Sequence, residues 1–101
     1  QKALALAPSS PHANLALGEA KLRRGEARSA LIYCDRVARL TGDDPLWRLR
    51  VAGLRGRAYE AAGDLTRARA AYEDVLALDP REREALEGVA RLNALPGGAR
   101  P

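Results

Sequence analysis

Small residues recur along this sequence in a fixed order, and that internal repeat restricts the fold more than any other feature. Gly18, Gly25 and Ala30 are followed 38 positions later by the same three residue types. The later copy is the more complete, and its members are Gly56, Tyr59, Gly63, Ala68, Tyr72 and Pro80. Repeats of about 20–50 residues indicate helix pairs or similar units that stack, because one unit cannot bury its apolar face alone.

The residues between these positions predict helices throughout. Alanine, leucine and arginine are abundant and β-branched residues are few, a composition that favours helix. Ser10 and Asp44 are suited to cap helices, Pro11 and Pro45 to occupy first turns, and Gly25 to end a helix. The predicted helices run from Pro11 to about Arg24, Glu26 to Leu40, Pro45 to Ala62, Leu65 or Thr66 to Leu78, and near Arg81 to Leu95. The sequence therefore predicts an all-α fold.

We expect the chain to divide into whole and partial repeats. The parts are 1–7, the tail of a preceding helix; 11–44, a first repeat; 45–82, a second repeat with an extended first helix; 83–95, the first helix of a further repeat or a capping helix; and 96–101, a frayed tail. The spacing between the two copies includes about four extra residues, near Asp43 to Trp47. One additional helical turn would accommodate them. Since no methionine begins the sequence, we expect a piece of a longer array, bacterial in appearance.

Charge and hydropathy disfavour several classes of partner. The net charge is +4, and all but two of the 17 basic residues are arginines. These arginines are scattered among acidic residues rather than clustered with aromatic residues, which disfavours nucleic-acid binding. No stretch is long and apolar enough to predict a membrane span. The compartment stays open between cytoplasm and periplasm.

No catalytic constellation emerges from the sequence. His12 is the only histidine and Cys34 the only cysteine, and nucleophilic catalysis needs a base within hydrogen-bond reach. Cys34 lies on an apolar helical stripe and is expected to be a buried, unreactive thiol. No metal-ligand spacing or phosphate-binding glycine loop is present. We expect a protein that is not an enzyme and needs no cofactor or metal.

The residues of the later copy resemble a tetratricopeptide repeat. The first copy fits more loosely, with Asn14 in place of an early aromatic residue and Cys34 in place of a later one. The resemblance implies a right-handed α-solenoid of antiparallel helix pairs, with about five helices and with Gly56 and Ala68 in contact. It also implies a non-catalytic scaffold that binds a partner protein or peptide in a concave groove.

The first helix of each pair lines this groove in the family. The implied groove residues are His12, Leu15, Glu19, Leu22, Arg50, Gly53, Arg57, Glu60, Glu84, Glu87 and Arg91. Arg50, Gly53 and Arg57 share one helix face. The two arginines either hold a carboxylate of a bound peptide or are solvated or paired with Glu60 and Glu19, and Gly53 either eases packing or leaves room for a ligand.

Other interpretations also remain open at this point. The lysine and asparagine residues by which some family members hold acidic C-terminal tails are missing, which disfavours that function. Trp47 either covers the end of the preceding helix pair or anchors a partner. The chain could instead be the regulatory or substrate-presenting arm of a larger enzyme. It could also be a self-associating structural module of a bacterial envelope, export or assembly system, joined through uncapped end helices.

Overall fold

The computed structural model describes residues 10–95, and within this range it contains five helices and no strand. The helices are α1, Pro11–Arg23; α2, Ala27–Thr41; α3, Pro45–Ala62; α4, Leu65–Leu78; and α5, Arg83–Ala94. The predicted all-α fold and five helices are confirmed. The expected helical tail at 1–7 and frayed tail at 96–101 lie outside the described residues.

Side-chain caps fix most of the helix starts. Ser10 Oγ accepts a hydrogen bond from the Ala13 amide at 3.2 Å, and Asp44 Oδ1 accepts one from the Leu46 amide at 2.9 Å. Asp64 and Glu82 cap α4 and α5 in the same way. Such caps satisfy amide groups that have no partner within the helix. Four of the five helices therefore begin where the sequence provides a cap.

Three glycines reverse the chain between helices. Gly25, Gly42 and Gly63 have φ angles of +82°, +62° and +83°, a left-handed conformation that glycine adopts without steric strain. The connections they belong to are only two or three residues long. Connections this short make neighbouring helices antiparallel.

The helices form two layers that curve. Each helix packs against the next one in the chain, and in addition α1 contacts α3 and α3 contacts α5. The helices α2 and α4 do not contact each other. Since α1, α3 and α5 lie closer together than the helices outside them, they form the concave side of the stack. The long helix α3 occupies its centre.

Two hydrophobic clusters meet at α3. One cluster consists of Cys34, Val37, Val51 and Leu54, and Trp47 packs against it. The other consists of Ala52, Ala68, Tyr72, Val75, Ala85 and Leu92. Helix α3 has 18 residues and α1 has 13, so α3 is longer by somewhat more than one turn. Trp47 lies in the first turn of α3 and covers the first cluster, as the packing interpretation predicts.

The ring of Tyr72 lies between two glycines. A β-carbon at Gly56 would lie 2.6 Å from one edge of the ring, and a β-carbon at Gly88 would lie 2.6 Å from the other. Real atoms cannot approach so closely, so both positions need glycine for Tyr72 to fit. The Tyr72 ring thus brings α3, α4 and α5 together, while the expected contact of Gly56 with Ala68 stays a prediction.

Candidate binding groove

A groove of about 430 Å³ opens along the inner side of α3. Its walls come from α1, from α3 and from the start of α5, with one residue of α4 below them. The lining residues are Leu15, Glu19, Leu49, Arg50, Gly53, Arg57, Val75, Glu82 and Glu84. The groove therefore lies on the concave side, where the inner helices meet.

Gly53 differs from the other glycines that lie inside helices. A β-carbon at Gly18, Gly56 or Gly88 would lie 3.1 Å or less from a neighbouring side chain, whereas a β-carbon at Gly53 would meet no atom within 4 Å. The packing interpretation of Gly53 is therefore wrong. Glycine inside a helix costs about 1 kcal/mol relative to alanine. At Gly53 no packing contact offsets this cost, and the space next to the glycine is part of the groove.

Arg50 lies over an aromatic ring at the edge of the groove. Its guanidinium carbon is 5.2 Å from the centre of the Trp47 ring. The ring of His12 meets Trp47 edge-on, with the two ring centres 4.7 Å apart. A cation–π contact of this kind holds an arginine without neutralising its charge. The contact with Trp47 thus holds Arg50 at the edge of the groove, with its positive charge available to a ligand.

Arg57 has one long ion-pair contact and a buried nitrogen without a hydrogen-bond partner among the described residues. Its nearest ion-pair contact is to Glu19, at 4.0 Å, and both side chains are about two-fifths exposed. The Nε atom of Arg57 is buried and has no hydrogen-bond partner among the described residues. A buried donor without a partner costs about 1–3 kcal/mol. Of the predicted pairings for the two arginines, only this long contact with Glu19 is present.

Glu60 and Arg91 form a structural contact instead of lining the groove. Arg91 donates two hydrogen bonds of 3.0 Å to the Glu60 carboxylate, one to each oxygen. The Tyr72 hydroxyl donates a third, of 2.7 Å. The Arg91 hydrogen bond lowers the pKa of Glu60, and burial raises the pKa of Tyr72. These contacts attach α5 to α3 and α4.

The predicted groove residues thus fall into two groups. The structure places six of them in the lining: Leu15, Glu19, Arg50, Gly53, Arg57 and Glu84. The other five lie elsewhere: His12 packs on Trp47, Leu22 packs on the first hydrophobic cluster, Glu60 and Arg91 pair with each other, and Glu87 is exposed outside the lining. Whether the six bind a partner stays a prediction.

Three lining residues are not among the predicted groove residues. Leu49 precedes Arg50 on α3 and lies one position outside the predicted face, while Val75 reaches the groove floor from α4. Glu82 caps α5 and also lines the groove. Its capping role could have been read from its place just before the helix, because acidic residues are common there.

The described residues contain no cluster of metal ligands, and their one thiol is buried. Within residues 10–95, no three histidine, cysteine or acidic side chains lie close enough to hold a metal ion. Cys34 is fully buried, and burial raises the pKa of its thiol to about 11. None of the five helices is long and apolar enough to span a bilayer.

Comparison with known families agrees with the geometry. Two family models, both described as tetratricopeptide repeat, match residues 1–45 and residues 50–82, which together make up most of the chain. The chain therefore belongs to the tetratricopeptide repeat family. A comparison with curated proteins gave no match. Repeats of this family commonly mediate protein–protein interaction and are generally non-catalytic.

Proposed function

We propose that this protein is a non-catalytic scaffold that binds a segment of a partner protein in the groove along α3. The observation that carries this proposal is the open space above Gly53. A partner side chain or backbone could lie there in contact with the helix itself. An alanine would have left the fold intact and made the helix more stable, so packing alone does not account for the glycine.

The side chains around Gly53 suit a peptide better than a small ligand. Leu15 and Leu49 offer apolar contacts, while Arg50 and Arg57 offer charged donors on either side of the glycine. The groove is bounded by residues of α1, α3 and the start of α5, so an extended chain could cross it from one helix to the next. Arginine is a frequent contributor to binding energy in protein interfaces. The other two interpretations, an enzyme's regulatory arm and a self-associating module, stay predictions.

Selection from a random peptide library displayed against the folded chain tests this proposal. Peptides that bind the unmodified protein are measured again on a variant carrying Arg50→Glu and Arg57→Glu. The control carries Arg28→Glu and Arg39→Glu, which make the same change of charge on exposed residues of α2. Circular dichroism establishes that both variants keep their helices.

We expect the groove variant to weaken binding by about tenfold or more, because hydrogen bonds to charged groups contribute about 1.5–3 kcal/mol each. The control should change binding by less than about threefold, through screened long-range charge alone. Equal losses in the two variants, or no loss in either, would show that the selected peptides bind outside the groove and would overturn the proposal.

A further inference from the structure

Charges alternate across the groove from one inner helix to the next. Glu19 projects from α1, Arg50 and Arg57 from α3, and Glu82 and Glu84 from the start of α5. Since α3 lies between α1 and α5, a chain that crosses the three helices meets an acidic, then a basic, then an acidic wall. This order of charges exists only in the folded chain, because folding brings together three helices that are far apart in the sequence.

We propose that the groove selects an extended segment in which one acidic residue stands between two basic residues. This inference rests on the binding function proposed above and specifies the chemistry of the partner. The acidic residue pairs with Arg50 or Arg57, and the two basic residues pair with Glu19 on one side and with Glu82 or Glu84 on the other. Complementary charge across an interface selects partners and fixes their register.

Helix packing sets the spacing of the three charges. Packed helices lie about 8–10 Å apart, and an extended chain advances about 3.3 Å for each residue. The charged residues of the partner should therefore be about three positions apart. The pattern is basic, two uncharged residues, acidic, two uncharged residues, basic, and the uncharged residues next to the acidic one lie near Gly53 and Leu49.

Arg50 and Glu84 are free to pair with such a segment, whereas Glu82 also accepts the capping hydrogen bond from the Ala85 amide. Arg50 contacts the Trp47 ring and has no ion-pair partner among residues 10–95. Glu84 also has no ion-pair partner within this range. The contact of Arg57 with Glu19 is long, and both side chains are about two-fifths exposed. Surface ion pairs of this kind contribute little to stability. A ligand that brings both a carboxylate and an amine would replace this pair with two closer ones. It would also draw the Arg57 guanidinium away from a position in which Nε lacks a partner.

The acidic walls argue against a purely anionic ligand. Glu19, Glu82 and Glu84 outnumber the two arginines of the lining. A nucleic-acid backbone or a run of acidic residues would meet like charges on both sides, and such juxtapositions lower affinity. The partner is therefore a segment of mixed charge, in a defined order.

Three blocked synthetic peptides of about nine residues, with an uncharged background of serine and threonine, test the order of charge. The first places lysine, glutamate and lysine three positions apart. The second has the same composition, with the glutamate moved to one end. The third exchanges the charges to glutamate, lysine and glutamate. Trp47 is the only tryptophan of the chain and contacts Arg50, so its fluorescence reports binding during titration.

We expect the first peptide to bind at least about tenfold more tightly than the other two, and added salt to reduce this preference. Equal affinities for the first and second peptides would overturn the inference. So would a failure of the first peptide to bind at concentrations up to about 1 mM. The proposed function would survive either result if peptides selected from the random library still lost affinity in the Arg50→Glu, Arg57→Glu variant.

The same variant provides a gain-of-binding test that unfolding cannot imitate. With α3 made acidic, all three walls of the groove carry the same sign. We expect this variant to prefer a peptide with three lysines at the same spacing over the lysine, glutamate, lysine peptide. An unchanged preference for the glutamate-centred peptide would contradict the charge order.

Discussion

The hydroxyl group of Tyr72 donates a 2.7 Å hydrogen bond to Glu60, twelve positions earlier in the chain. The same carboxylate accepts two hydrogen bonds from Arg91. One acidic group of α3 thus holds both a core tyrosine of α4 and an arginine of α5. The contact fixes the position of α5, whose first residues form one wall of the groove.

Removal of the Tyr72 hydroxyl should weaken the fold. In Tyr72→Phe, Glu60 loses one donor and the ring stays in place between its two glycines, so we expect the free energy of unfolding to fall by about 1 kcal/mol. Urea denaturation measures this change. Tyr59→Phe is the matched control, because Tyr59 packs against the same cluster and its hydroxyl has no hydrogen-bond partner among the described residues. An equal loss in the two variants would contradict the role of the hydroxyl.

Glu60 should make stability depend on pH in the acidic range. The Arg91 hydrogen bond lowers the pKa of Glu60 in the folded protein from its ordinary value of 4.5. This contribution is fully present above about pH 4.5 and is lost as the pH falls through the lowered folded pKa. The stability difference between the unmodified protein and Glu60→Gln should therefore be larger at pH 7 than at about pH 3. Denaturation at both pH values measures it, and a difference that did not change with pH would contradict this account.

The same substitution at two glycines of α3 should have opposite effects. We expect Gly56→Ala to destabilise the protein by about 1–3 kcal/mol, because the added methyl group would collide with the Tyr72 ring. We expect Gly53→Ala to stabilise it by about 0.5–1 kcal/mol, since the methyl group meets open space and alanine favours helix. Thermal and urea denaturation compare the two variants. If both substitutions changed the free energy of unfolding in the same direction, the described packing at one of the two glycines would be contradicted.

The Cys34 thiol should resist modification while the protein is folded. Its side chain is fully buried, and burial raises its pKa to about 11, so little thiolate exists near pH 8 and reagent cannot reach it. We expect an aromatic disulfide reagent to react only as fast as the protein unfolds, and the rate to rise with urea. Rapid reaction in native buffer, equal to that of the unfolded chain, would contradict the burial.

The helix boundaries could be predicted from the sequence because the signals that set them are local. Ser10 and Asp44 cap helices as predicted, and Gly63 ends α3 at the predicted place. Each of these residues acts on its own neighbours in the chain, so its effect can be read without knowing the tertiary structure. The predicted ends of the helices differ from the observed ones by two residues at most.

The parts of the site that could not be predicted depend on distant contacts. The resemblance to the family places Glu60 and Arg91 in the groove, and a separation of 31 residues in the sequence gives no sign that they pair. The same resemblance places Leu22 in the groove, but its side chain packs on the first hydrophobic cluster. Asn14 stands where the family prefers a bulky residue, and it is buried with its amide donating to the Ser10 carbonyl at 2.8 Å.

The most direct test of the binding groove is a pair of substitutions at Gly53, measured with peptides selected from the random library. Gly53→Ala adds one methyl group and leaves most of the groove open, whereas Gly53→Tyr fills it. Both variants should keep their helices, because nothing packs on this position. Because the proposed partner contacts the helix at Gly53, we predict that Gly53→Ala lowers peptide affinity by about threefold and that Gly53→Tyr lowers it by about tenfold or more. Unchanged affinity in a folded Gly53→Tyr variant would show that the partner binds elsewhere.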